Sequence, residues 1–205
     1  MNADGDGARP SHPCVAAIQD VAMAGLRPVR EKLLPQAEGD VLEIGVGTGT
    51  NFGLYSSRVR TLTGCEPDPH MLKRARARPP SPDHERALDD AFAERLPYPD
   101  ARFDTVVATF VLCTIPDPAA ALAEARRVLR PGGRLLFAEH VAHGHRVGRS
   151  MQRAIGRPWG WVAGGCRLDR DALALIRAAG FHDVEHRTHG PQRWTLTLIV
   201  SGLAR

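Results

Sequence analysis

The stretch GDVLEIGVGTGTNFGLY, residues Gly39 to Tyr55, decides the fold. Its first half is a nearly continuous apolar run, as a strand buried on both faces requires. Its second half is broken by Gly45, Gly47 and Gly49. Glycines let a backbone turn sharply and approach a ligand closely. A strand running into such a turn is the usual opening of a nucleotide-binding α/β sheet. One acid, Glu43, stands inside the apolar run.

The same alternation extends on both sides. Residues 1–13 are polar and read as a disordered tail. Val15 to Leu34 reads as helical, with Pro28 placed to kink that helix or to start a second one. Residues 14–38 are thus expected to form a helical lid. After the glycines, Asn51 to Ser57 is expected to open a helix. VRTLTGCE is a second strand ending at Glu66, DPHMLKRARAR a helix, and a short strand ends near Ala87–Asp89. FDTVVATFVLC is the next strand, and DPAAALAEARRVLR is an amphipathic helix halted by PGG. RLLFAEHV is a fifth strand. LDRDALALIRAAGF is a helix capped near Leu168 or Asp169 and stopped by Gly180. HDVEHRTH and RWTLTLIVSGLA are the last strands, and the GPQ between them is too short for a crossover, so they form a hairpin. Strand alternating with helix implies a single doubly wound α/β domain over residues 1–205. Its Rossmann-like sheet has seven strands, mostly parallel, with an antiparallel C-terminal strand.

The 205 residues suit one domain with a sizeable core. A net charge of +4 is carried almost wholly by arginine, lysine occurring only at Lys32 and Lys73. These arginines are scattered, so no basic patch marks a nucleic-acid partner. Cys14, Cys65, Cys113 and Cys166 lie far apart with no CxxC pair, so neither a zinc site nor a dithiol is signalled. Reduced thiols fit a cytoplasmic protein. No apolar run reaches the ~18 residues of a membrane helix, and the N-terminus has no signal-peptide core.

The glycine pattern selects the ligand. A dinucleotide turn is G-x-G-x-x-G, whereas this one is G-x-G-x-G with Thr50 at the third fingerprint position. Glu43 before the turn would repel a pyrophosphate and suits a cationic group such as an ammonium. Glu66, ending the second strand, is placed to accept hydrogen bonds from two ribose hydroxyls. A ligand with an ammonium, a ribose and no phosphate is S-adenosylmethionine. The alternatives are that Glu43 caps a neighbouring loop and that the turn merely connects two elements.

With these residues in view, the chain resembles the class I S-adenosylmethionine-dependent methyltransferases. It is most similar to their type 11 branch, which includes ubiquinone and menaquinone methyltransferases. VLEIGVGTGTN, GCEPDPHML, AERLPYPDARFDTVVATFVLCTIPDP and EARRVLRPGGRLLFAEHV carry the likeness, in order, between about Leu26 and Arg205. The resemblance implies that Glu43, with the backbone of Gly45 and Gly47, holds the methionine moiety, helped by Asn51. It implies that Glu66 binds the ribose, that Pro67 and Met71 pack on the adenosine, and that Ala93 offers its N–H to the adenine. Thr109 would face the methionine or the methyl group. Many relatives carry an aspartate where Phe92 stands, so Phe92 is expected to pack on the adenine or to leave its recognition to Asp90. GGC at 164–166 resembles a subgroup acting on thiols and phospholipid head groups.

Methyl transfer from a sulfonium needs positioning above all, and a base only where the acceptor arrives protonated. His140, at the carboxyl end of the fifth strand, is the candidate base; the alternative is a structural histidine. His143 and His145 lie close by, but no acid or cysteine completes a metal set, so no metal is expected. Trp159 and Trp161, in a glycine-rich connection, are expected to wall the acceptor site or to pack on the core. Cys113 and Cys166 read as core or near-site residues, not nucleophiles, since no partner base is evident. The acceptor is a small molecule, such as a thiol, amine or phospholipid head group, while the oligomeric state stays open. A nicotinamide-dependent oxidoreductase and a non-catalytic S-adenosylmethionine binder are the competing readings.

Overall fold

The computed structural model describes residues 10–143, 145–189 and 198–205. Seven strands form one sheet: β1 (Gly39–Ile44), β2 (Val59–Cys65), β3 (Glu85–Asp89), β4 (Phe103–Thr109), β5 (Leu129–Val141), β6 (Glu185–His189) and β7 (Leu198–Ala204). Their order is β3-β2-β1-β4-β5-β7-β6. β1 pairs in parallel with β2 and β4, and β4 with β5. β7 lies antiparallel between β5 and β6. This is the doubly wound sheet that the alternation demands. The GPQ connection lies outside the described residues.

Strand periodicity of two divides the core. Leu42, Ile44, Val106, Ala108, Leu135 and Phe137 face one cluster with α4 (Pro118–Val128) and α6 (Ala172–Ala178). Val41, Val107, Leu136 and Ala138 face the other, with Leu33, Leu34 and Ala75 from α2 (Arg27–Leu33), the 3-10 turn after it and α3 (Pro69–Arg76). Pro28 lies in the first turn of α2, so Val15–Leu34 is two helices, the first being α1 (Pro13–Ala24). Among the described residues no helix is long and apolar enough to cross a membrane.

Several elements differ from expectation. Asn51–Ser57 forms only a 3-10 turn, Phe52–Leu54, because Gly53 and the serines that follow do not propagate a helix. α4 ends at Val128, and PGG lies within β5, where pairing jumps from Phe103↔Leu129 to Thr105↔Arg134. The helix cap is Asp171, whose side chain accepts from the Ala174 N–H. The stretch 156–166, read as a glycine-rich connection, instead begins inside a helix, α5 (Arg146–Val162). Gln152 pins it to the end of β5, accepting from the His143 N–H and donating to the Val141 carbonyl. Ile155 and Trp159, on that helix, pack against Cys113, Cys166 and Leu168; packing overrides the glycines here. Residues 1–9 lie outside the described residues. The end of the expected disordered tail, however, is held: His12 donates its N–H to Asp68 at 2.7 Å, and Pro13 begins α1.

At the amino end of the strands, Asp40 is nearly buried and gathers Arg60, Arg102 and Arg130 at 2.8, 3.1 and 3.0 Å. The Arg60 hydrogen bond foremost holds its carboxyl well below the usual range. A depressed pKa contributes stability that is present above the unfolded value of about 4 and is lost as pH falls below it. Asp40→Asn should therefore lower the melting temperature by about 5 °C at neutral pH. The difference from wild type should shrink in scans below about pH 4; a constant difference would contradict the role given to Asp40.

Candidate functional site

The carboxyl ends of β1, β2, β4 and β5 share one edge of the sheet, and the candidate residues gather there. Gly45 and Gly47 have φ of 65° and 56°, a left-handed backbone that favours glycine. A Cβ on Gly45 would lie 2.3 Å from Val111, and one on Gly47 would lie 2.5 Å from the Gln19 amide. The turn is thus packed between the loop after β4 and helix α1.

Asn51 is buried and is the hub of the first half of the site. Its Nδ2 donates to Glu43 at 2.7 Å and to Thr109 Oγ1 at 2.9 Å. Its Oδ1 accepts from Arg30 at 2.8 Å. The second Glu43 oxygen accepts from the Tyr55 hydroxyl at 2.8 Å. Both oxygens of Glu43 are therefore engaged. Each oxygen keeps a further lone pair, so these bonds orient the carboxylate without using up its capacity to accept.

Glu66 links the second half to the turn. It accepts from the Gly47 N–H at 2.9 Å and from the Asp68 N–H at 3.0 Å. Pro67 follows it, and Met71 is buried one turn into α3, which Asp68 caps. Ala93 is buried with Ala91 and Leu96 in the loop after β3, and Phe92 beside it is half-buried. Burial pushes Glu43 and Glu66 each up to about 7.

The sequence reading missed the partners from the N-terminal helices. Gln19 Oε1 accepts from the Thr48 N–H at 2.9 Å, and Asp20 bonds the Thr48 hydroxyl at 2.5 Å. Arg30, buried, also donates to Thr50 and to the Met23 carbonyl. Arg30 stands among Arg27, Glu31 and Lys32, so nothing in the sequence set it apart.

His140 has neighbours that the sequence did not announce. It is half-buried, and its Nδ1 lies 3.9 Å from Cys113 Sγ and 3.7 Å from Cys166 Sγ. The two sulfurs are 3.3 Å apart, and both cysteines are free thiols. Wide sequence spacing did not keep these cysteines apart, and they do have a histidine partner. The contact with Cys113 first, and His140 next, lower the Cys166 thiol below its usual range. The buried Trp159 indole N–H has no hydrogen bond of good geometry, yet it too favours the Cys166 thiolate. The side chain of Trp161 lies outside the described residues. Glu139 turns to the loop after β4, accepting from the Val111 and Leu112 N–H groups at 2.8 Å. Phe110 in that loop takes φ 55° and lies 5.2 Å, ring to ring, from His140. His143 bonds His145 and stands apart from the sulfurs.

Residues 42–137 match the methyltransferase domain family. A human thiol S-methyltransferase is 35% identical over 170 residues, covering 80% of this chain and 69% of the relative. The chain belongs to the S-adenosylmethionine-dependent methyltransferases. Its methyl donor is S-adenosylmethionine, and the nicotinamide-dependent alternative falls. A phosphatidylethanolamine N-methyltransferase from Cereibacter sphaeroides is 38% identical over 121 residues, 58% of this methyltransferase and 59% of the relative. A Haloferax volcanii methyltransferase solved with the Trm112 activator superposes with a TM-score of 0.69 at 20% identity, covering 97% and 99% of the two chains. That likeness shows the fold alone.

A raised carboxyl pKa contributes stability that is full below the unfolded value of about 4 and is lost as pH rises through the folded one. Without ligand, Glu43 and Glu66 therefore favour the folded chain at low pH and cease to do so near pH 7. A cationic ligand prefers both carboxylates ionised. Affinity for S-adenosylmethionine, read by titration calorimetry, should rise several-fold from about pH 6 to about pH 8. Glu66→Gln should flatten that rise, whereas a flat wild-type profile would contradict the site. Asn51→Ala should cost about 2 kcal/mol of stability in denaturant titration, since it strips partners from Glu43 and Arg30.

Proposed function

We propose that this methyltransferase transfers the methyl group of S-adenosylmethionine to the sulfur of a small-molecule thiol. The observation that carries the reading is the His140–Cys113–Cys166 cluster at the carboxyl edge of β4 and β5. The thiol S-methyltransferase relative supports it. An amine of a phospholipid head group is the second reading, favoured by the Cereibacter relative. Free, buried cysteines fit a reducing, cytoplasmic setting.

The sulfonium supplies an activated methyl group and a neutral leaving group. The chain's residues then have four tasks. Glu66 takes the ribose hydroxyls, with Pro67 and Met71 against the adenosine and Phe92 and Ala93 on the adenine side. Gly45, Gly47, Asn51 and Thr109 seat the amino-acid end, with Glu43 fixing Asn51. The helical segment 14–38 closes over the turn through Gln19 and Arg30. His140 serves the acceptor, and because its Nδ1 faces two sulfurs it works with them, not as an isolated base. Holding the thiolate in line with the methyl group supplies much of the rate.

Formation of S-adenosylhomocysteine over a panel of thiols, amines and phosphatidylethanolamine vesicles tests the acceptor. Turnover with thiols at least about tenfold above the others is expected; turnover confined to amines or lipid would overturn the reading. Glu66→Ala should abolish donor binding. His140→Ala should lower kcat by about 10²-fold with donor affinity unchanged; an unchanged kcat would remove His140 from the acceptor site.

A further inference from the structure

We propose that Cys113, His140 and Cys166 are the three protein ligands of a zinc-class divalent cation whose fourth position receives the acceptor's sulfur. The inference rests on the thiol reading above. Two thiols and an imidazole are a donor set that selects a tetrahedral ion of this class. Three protein ligands with one position left over is the arrangement of ions that act on substrates, whereas purely structural ions take four.

The distances agree. With Zn–S about 2.3 Å and Zn–N about 2.0 Å, a tetrahedron has edges of about 3.8 Å between sulfurs and about 3.5 Å between sulfur and nitrogen. The observed edges are 3.3 Å for the sulfurs and 3.9 and 3.7 Å to Nδ1. A movement of about half an ångström would seat an ion. Each ligand comes from a separate, anchored element. Cys113 lies in the loop that Glu139 holds by its N–H groups. His140 lies near the end of β5. Cys166 follows α5, where its N–H donates to the Ala163 carbonyl. The Trp159 indole N–H beside Cys166 is buried without a well-formed hydrogen bond. A metal-bound thiolate is the acceptor that such a donor lacks. His140 alone is half-buried, which leaves the ion approachable from that side.

Chemically, the acceptor thiol displaces water from the ion and binds as thiolate, its proton passing to solvent. The thiolate sulfur then forms a bond to the methyl carbon as the sulfonium carbon–sulfur bond breaks. The electron pair of the broken bond stays on S-adenosylhomocysteine. The product thioether is neutral and a weaker ligand, so it leaves.

Metal analysis of the full chain reconstituted with zinc should find one ion per chain. The cobalt(II) form should show thiolate-to-cobalt charge transfer and the intense visible bands of a tetrahedral ion. Both features should vanish in Cys113→Ser and in Cys166→Ser and persist in Glu66→Ala. Adding 2-mercaptoethanol should strengthen the charge-transfer band as a third sulfur enters. Independently of any variant, zinc should slow N-ethylmaleimide labelling of Cys113 and Cys166, against the chelated protein, without protecting the exposed Cys14. Absence of charge transfer, bands that survive both serine variants, or labelling unaffected by zinc would overturn the site. Thiol methylation with no ion bound would sink the ion and leave the acceptor reading standing. An ion bound without thiol turnover would sink the acceptor reading instead.

Discussion

One buried amide, that of Asn51, holds the centre of the molecule together. Its nitrogen joins β1 through Glu43 to β4 through Thr109, and its oxygen takes the guanidinium of Arg30 from α2. Each of these groups is costly to bury alone. Together they satisfy one another, and the glycine turn acquires a fixed position relative to two strands and the N-terminal helices. The left-handed Gly45 and Gly47 then only have to follow.

From that hub the site spreads along one edge of the sheet. Glu66 reaches back to the Gly47 N–H, so the end of β2 and the glycine turn share a backbone group. α1 lies on the same turn through Gln19 and Asp20. At the other end Glu139 organises the loop after β4, and that loop carries Cys113 to His140. The Asn51 hub and the His140 cluster are therefore joined through β4, whose last residue Thr109 bonds Asn51 and whose next residue Phe110 lies against His140.

The sheet was legible because buried parallel strands announce themselves as apolar runs, as in β1 and β4, and because Gly180 stops its helix where the glycine stands. The glycine spacing and Glu66 identified the donor, since both sit within a few residues of strand ends. What could not be read are contacts between distant segments. Glu43 and Tyr55 are twelve positions apart and Cys113 and Cys166 fifty-three, and nothing local marks either pair. α5 escaped for a different reason: its glycines and Pro158 are weak helix residues, and only packing of Gln152, Ile155 and Trp159 against the site makes it a helix.

The central claim is that the Gly45–Asn51 turn and Glu66 seat the methyl donor. A crystal structure with S-adenosylhomocysteine tests it most directly. The ribose hydroxyls should lie on the Glu66 carboxylate and the amino-acid end against the turn beside Asn51 and Thr109. An adenosine bound elsewhere, with Glu66 still held only by Gly47 and Asp68, would contradict it.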